Sequence, residues 1–167
     1  MPATGIALAA ASVVAVASGA ATPAAAQQGS TDWASQNLNL HNNRFAPLDE
    51  VNTTNVDRLT ARWTYEVGPT DNITQATPLV VDGVMYLHSR ATLFALNAAT
   101  GEELWTATLD EGPEAAGPVR GPTFANGRIY AYRGADLYAM DADTGAPVES
   151  FGEQGVLPVV SSALQLK

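Results

Sequence analysis

The sequence predicts an all-β fold assembled from repeated four-stranded sheets, and three observations carry that expectation. A pattern recurs: Pro78, Gly83, Tyr86, Leu93, Ala95, Thr100 and Gly101 return as Pro122, Gly127, Tyr130, Leu137, Ala139, Thr144 and Gly145, each 44 residues on. Within each copy a pair suited to positive φ, Asp82-Gly83 or Asn126-Gly127, splits two apolar runs, which is hairpin chemistry. Each copy then carries a second turn ending in Thr-Gly. A period of roughly 40 to 50 residues of short β-rich runs is the mark of a β-propeller blade.

Each element follows in order. Residues 77–81 should pair with 84–88, and the second copy should pair likewise across Asn126-Gly127. A strand over 93–96 leads into Asn97-Ala98-Ala99-Thr100-Gly101, where an Asx side chain caps the turn and glycine supplies the left-handed residue. The chain then enters a strand over 103–108, and Asp141 to Gly145 repeats that turn. The blade-like repeats therefore span about 77–109 and 121–152. Their glycines and carboxylates read as turn construction rather than catalysis. Val80, Met85, Tyr86, Leu93 and Phe94 are expected on inner faces, to within one register step.

Ahead of the repeats, residues 1–26 carry no charged side chain, run through an apolar stretch from Ile6 to Ala17 and end in Pro23-Ala24-Ala25-Ala26. They read as a secretory signal peptide with an A-x-A cleavage site, which places the mature protein in the periplasm. Residues 27–58 are rich in Asn, Gln, Ser and Asp and read as an irregular arm with a helical turn near 52–58. Thr53, Thr54 and Asn55 are candidate caps of that turn, and Trp33, Phe45 and Leu48 are expected to pin the arm to the body. Over 59–67, Ala61, Trp63, Tyr65 and Val67 alternate with Arg62, Thr64 and Glu66, the pattern of a half-buried strand. The partial propeller thus covers 59–167.

The formal net charge is −9, with no cluster of Lys or Arg, so a nucleic acid is not an expected partner. The chain has no cysteine, hence no disulfide, thiolate metal site or lipid anchor. His41 and His88 stand apart without ligand spacing, and no metal site is expected among these residues. His88 reads as a strand-end residue facing a channel or solvent.

The ordered set of segments from Asp32-Trp33 through Gln75-Ala76-Thr77-Pro78-Leu79, the turn from Asn97 to Gly101, Val119-Arg120-Gly121-Pro122 and the stretch from Asp141 to Gly155 resembles the N-terminal part of the periplasmic quinoprotein dehydrogenases. These are enzymes dependent on pyrroloquinoline quinone (PQQ). The resemblance implies an eight-bladed propeller with PQQ in its central channel, a Ca²⁺ or lanthanide ion beside the quinone, and oxidation of an alcohol, polyol or aldose. It also implies electron transfer to a cytochrome c or to ubiquinone.

Two residues match the family's cofactor positions. Gln75 stands where many members have a glutamate or glutamine near PQQ, and its amide both donates and accepts. The other reading of Gln75 is a solvated polar residue at a strand start. Arg120 matches the arginine that pairs with PQQ oxygens, and its guanidinium fork suits a carboxylate or quinone oxygen. Its alternative is a surface arginine balancing Glu111 and Glu114. The adjacent cysteines of many alcohol-oxidising members are missing from Pro113 to Val119, which shifts weight to sugar, polyol and other cysteine-free branches.

The resemblance places the catalytic Asp, the metal-ligating Glu and Asn, and the Lys or Arg beside the quinone in later blades. Catalytic residues are therefore not assignable in this sequence, and the chain is expected to be an inactive N-terminal fragment. The alternative function is a non-catalytic propeller of similar repeats used as a protein-binding scaffold. A two-blade chain that oligomerises into a ring is a further possibility, because repeats bury their faces only against neighbours.

Overall fold

The computed structural model describes residues 32–38, 41–42, 44–68, 75–109 and 120–159. The expected signal peptide lies outside these residues. Among the described residues, eight strands form two antiparallel four-stranded sheets. The first contains β1 (Leu79–Val81), β2 (Val84–His88), β3 (Thr92–Asn97) and β4 (Glu103–Thr108), side by side in chain order. The second repeats that order with β5 (Thr123–Ala125), β6 (Arg128–Arg133), β7 (Asp136–Asp141) and β8 (Val156–Pro158).

The hairpins form as the sequence dictates. Val81 pairs with Val84 around Asp82 and Gly83, at φ 49° and 78°, and Ala125 pairs with Arg128 around Asn126 and Gly127, at φ 52° and 70°. Two successive positive φ values give a turn whose twist matches the strands it joins. The Asx turns repeat as closely. Asn97 Oδ1 accepts from the backbone N–H of Ala99 (2.9 Å) and Thr100 (3.1 Å), and Asp141 Oδ1 accepts from Asp143 (3.2 Å) and Thr144 (3.0 Å).

The central strands of the first sheet, β2 and β3, bury both faces, so the expected inner-face set divides. Tyr86 and Leu93 join Leu79, Val81 and Ala95 in a cluster with Ile129, Ala131, Tyr138 and Met140 of the second sheet. Met85 and Phe94 lie on the opposite face, where Leu87, Phe94 and Leu96 meet Trp63, Tyr65 and Val67. A strand between two neighbours reads as a continuous apolar run rather than an alternating one, which is why one face could not be separated from the other.

Other expectations need qualifying. Residues 59–67 keep the side-chain alternation, with Trp63, Tyr65 and Val67 half-buried between exposed neighbours, and run as extended chain with no ladder partner among the described residues. The fourth strand of the second sheet lies at Val156–Pro158, beyond the boundary near 152. Val148 N–H donates to Ala139 O and Ala139 N–H to Gly155 O, both at 2.9 Å, so residues 149–154 loop out of a ladder that continues on either side. In the arm, Trp33 is half-buried and its backbone exchanges hydrogen bonds with Val80 (2.6 and 3.0 Å), covering the free edge of β1. Phe45 and Leu48, however, are 68% and 56% exposed, so most of each side chain stays outside the core. The helical turn is a 3-10 turn, Val56–Arg58, whose Asn55 cap makes no side-chain capping bond. Asn52 Oδ1 instead accepts from Thr54 N–H (3.0 Å).

Candidate functional site

The two sheets are joined by a device that single-sequence reading assigned to turns alone. The Trp105 indole on β4 lies against Gly145 of the second sheet, so close that a Cβ there would sit 2.6 Å from the ring, and its Nε1 donates to Ala142 O (3.0 Å). Trp63 does the same one repeat earlier, lying on Gly101 at the same 2.6 Å and donating to Ala98 O (3.1 Å). Both glycines are thus required twice, for positive φ (75° and 71°) and for the space the indole fills. Tyr86 strengthens the joint: its hydroxyl donates to the same Ala142 carbonyl (3.3 Å) and its ring lies 6.0 Å from Trp105. Tyr65 ties the 59–67 segment to β4 through Glu103 (2.5 Å), and burial followed by that carboxylate pushes its phenol up to about 12.

The segments that lead into β1 and β5 also meet. Gly121, at φ 97°, abuts the backbone of Thr77 so tightly that a Cβ would sit 2.6 Å from Thr77 O and 2.9 Å from Thr77 N. Gln75 precedes Thr77 by two residues and Arg120 precedes Gly121 by one, and both side chains are exposed. The close backbone contact tolerates no side chain at residue 121. A cavity of about 160 Å³ lies elsewhere, among Thr108, Tyr138, Met140, Pro147, Gln154, Gly155 and Val156, and is lined by neither Gln75 nor Arg120.

His88 departs from expectation. It is 1% exposed, closed between the sheets at the end of β2. Desolvation, then the nearby Arg133 charge, lowers its pKa from 6.5 to about 4, so the ring is neutral at physiological pH. The sequence signal for this burial was available only indirectly. His88 continues the alternation of Val84 and Tyr86 on the face that meets the second sheet.

Adjacent four-stranded sheets in chain order, each seated by a tryptophan from the element before it, define the blades of a β-propeller. Residues 33–165 match the glucose/ethanol/alcohol dehydrogenase β-propeller domain of the PQQ type, and the chain belongs to that family. It is 36% identical over 132 residues to the dehydrogenase subunit of the quinone-dependent alcohol dehydrogenase of Gluconobacter oxydans (strain 621H), an alignment covering 71% of this chain and 17% of that protein. The quinohemoprotein alcohol dehydrogenase of Comamonas testosteroni superposes with a TM-score of 0.63 at 28% identity, over 77% of this chain and 19% of that one. A europium-containing methanol dehydrogenase superposes at 0.60 with 30% identity, over 69% and 22%. The chain therefore spans about one fifth of the length of the relatives it matches, and the family is one of enzymes.

Proposed function

We propose that this chain forms the first blades of a periplasmic quinoprotein dehydrogenase that oxidises an alcohol, polyol or aldose. The observation that supports the reading is the contact of Gly121 on the Thr77 backbone, from which Gln75 and Arg120 are two residues and one residue away in the chain. Arg120 would pair with a carboxylate or quinone oxygen of PQQ, and Gln75 would donate to or accept from its mixed edge. Bound there, the quinone supplies the hydride acceptor, while these residues supply orientation and charge. The described residues gather no group of three His, Asp or Glu, and the proposal assigns no metal ligand to them. A Ca²⁺ or lanthanide ion beside the quinone belongs to the whole enzyme, in keeping with the europium named for one relative. Electrons would pass to a cytochrome c or ubiquinone. Export rests on the uncharged, apolar residues 1–26.

The 167-residue chain alone is proposed to be inactive, because Gln75 and Arg120 address one side of a cofactor whose other contacts the family resemblance places in later blades. A dye-reduction assay with PQQ, Ca²⁺ and a panel of alcohols and sugars should show no turnover by the chain. Turnover would overturn that assignment. In a full-length enzyme carrying these blades, Arg120→Ala should weaken PQQ retention about 10- to 100-fold, the loss of one charge-assisted hydrogen bond, with little change in substrate preference. Unchanged retention would make Arg120 a surface residue. Mass spectrometry of the protein exported by a Gram-negative host should find Gln27 as the new terminus, and an intact chain recovered from the cytoplasm would refute periplasmic export.

A further inference from the structure

The joint between the sheets holds two buried nitrogens that nothing in the fold explains. His88 lies on the face of β2 that meets the second sheet, following Val84 and Tyr86 at alternate positions. Arg133 ends β6 on the face that meets the first sheet, following Ile129 and Ala131. The Arg133 guanidinium reaches across the joint, its Nη1 donating to the carbonyl of Arg90, two residues beyond His88 (3.4 Å). His88 Nε2 and Arg133 Nε are nonetheless both buried without a hydrogen-bond partner. Asp136 stands opposite Arg133 in the β6–β7 ladder, yet no hydrogen bond or ion pair joins the two. Ser89, beside His88, already spends its hydroxyl on Thr92: Oγ donates to Thr92 O (3.1 Å) and accepts from Thr92 N–H (3.2 Å).

We propose that His88 and Arg133 together hold a small inorganic anion of chloride size between the two sheets. A buried donor without a partner costs about 1–3 kcal/mol, and two at one joint are a departure from how interiors are built. A water molecule would satisfy the hydrogen bonds but not the guanidinium charge, whereas an anion accepts from Arg133 Nε–H and from the Nε2–H tautomer of His88 while balancing that charge. Both nitrogens are buried, which favours a small ion over a larger ligand. The site is distinct from Gln75 and Arg120, whose side chains are exposed.

The chain has two histidines, and His41 is exposed, so the His88 ring can be followed separately by NMR. Sodium chloride added to the full chain at constant pH should move the His88 ring signals saturably while His41 drifts only with ionic strength. Chloride should also raise the pKa of His88, since binding and protonation are reciprocally linked. Sodium sulfate at matched ionic strength should produce neither effect. Arg133→Gln should abolish the saturable shift. Arg133→Lys keeps a charge but lacks the Nε–H, and should weaken chloride binding about tenfold or more. Bromide soaked into crystals of the unaltered chain should give an anomalous peak between the two nitrogens, a readout that does not depend on any variant folding. His88 signals that track His41, an equal response to sulfate, or a bromide map with no peak at the joint would overturn the proposal.

Discussion

The two sheets are built from one repeat, yet their equivalent residues live in different environments. Leu93 is fully buried, while Leu137, its counterpart, is half-buried. Tyr86 is 4% exposed and Tyr130 is half-buried. His88 is 1% exposed and Tyr132 is 58% exposed. Both sheets have the same strand order and hairpin turns. The difference lies in their neighbours: the first sheet is covered on one face by Trp63, Tyr65 and Val67 and on the other by the second sheet, which is itself covered on one face only by described residues. Burial in a stacked-sheet protein is therefore a property of the joint, and a repeat position acquires it from whatever packs against it.

The largest effect should come from emptying the covered joint. Leu93→Ala should cost about 3–5 kcal/mol, the price of a cavity at a site with no exposure, while Leu137→Ala should cost about 1 kcal/mol. Denaturant unfolding of the full chain checks this, and equal losses would mean that the two sheets are equally covered in solution. The next effect is acid sensitivity. His88 titrates near 6.5 unfolded and near 4 folded, so the unfolded state takes up its proton first as pH falls. Stability should be intact above about pH 6.5, decline down to about pH 4 and then level off, by about 3 kcal/mol at most from this group. The charged group acting on it is Arg133 from β6, which stands opposite Asp136 in the β6–β7 ladder and donates to the Arg90 carbonyl. His88→Gln should flatten this part of the profile in chloride-free buffer, and a His88→Gln profile identical to that of the unaltered chain would contradict it.

Smaller effects separate the two kinds of glycine. Gly145→Ala meets both the Trp105 ring and a positive φ, and should cost about 2–3 kcal/mol with a red shift of tryptophan fluorescence as the indole is displaced. Gly127→Ala, with nothing within 4 Å of the added carbon, meets only the backbone penalty and should cost about 1 kcal/mol. Equal costs would deny the seating role of the indole. The smallest effect is at Asp141. Hydrogen bonds from Thr144, side chain then backbone, hold its carboxyl below the usual range, so its contribution is present at neutral pH and lost as pH falls through that lowered value. Asp141→Ala should loosen the exposed turn with little change in the unfolding midpoint, measured as faster amide exchange at Thr144 and Gly145.

Local chemistry was legible where it is self-contained. Asp82-Gly83 and Asn126-Gly127 required positive φ and formed their hairpins, and Asn97 and Asp141 closed the turns their side chains can close unaided. The excursion over 149–154 was not legible, because the ladder simply resumes after it and the repeat spacing passes over it. Gln75 and Arg120 were singled out through family likeness, whereas the approach of Gly121 to Thr77, across 44 residues of chain, was visible only in the structure. The sequence by itself determined strand type, turn chemistry and the period of the repeat, since each arises from residues a few positions apart. Only the tertiary structure decided that Trp63 and Trp105 seat on Gly101 and Gly145, that residues 59–67 run without a ladder partner among the described residues, and that His88 is sealed beside Arg133. Those outcomes belong to the packing of one sheet on the next, which no spacing within a single repeat can encode.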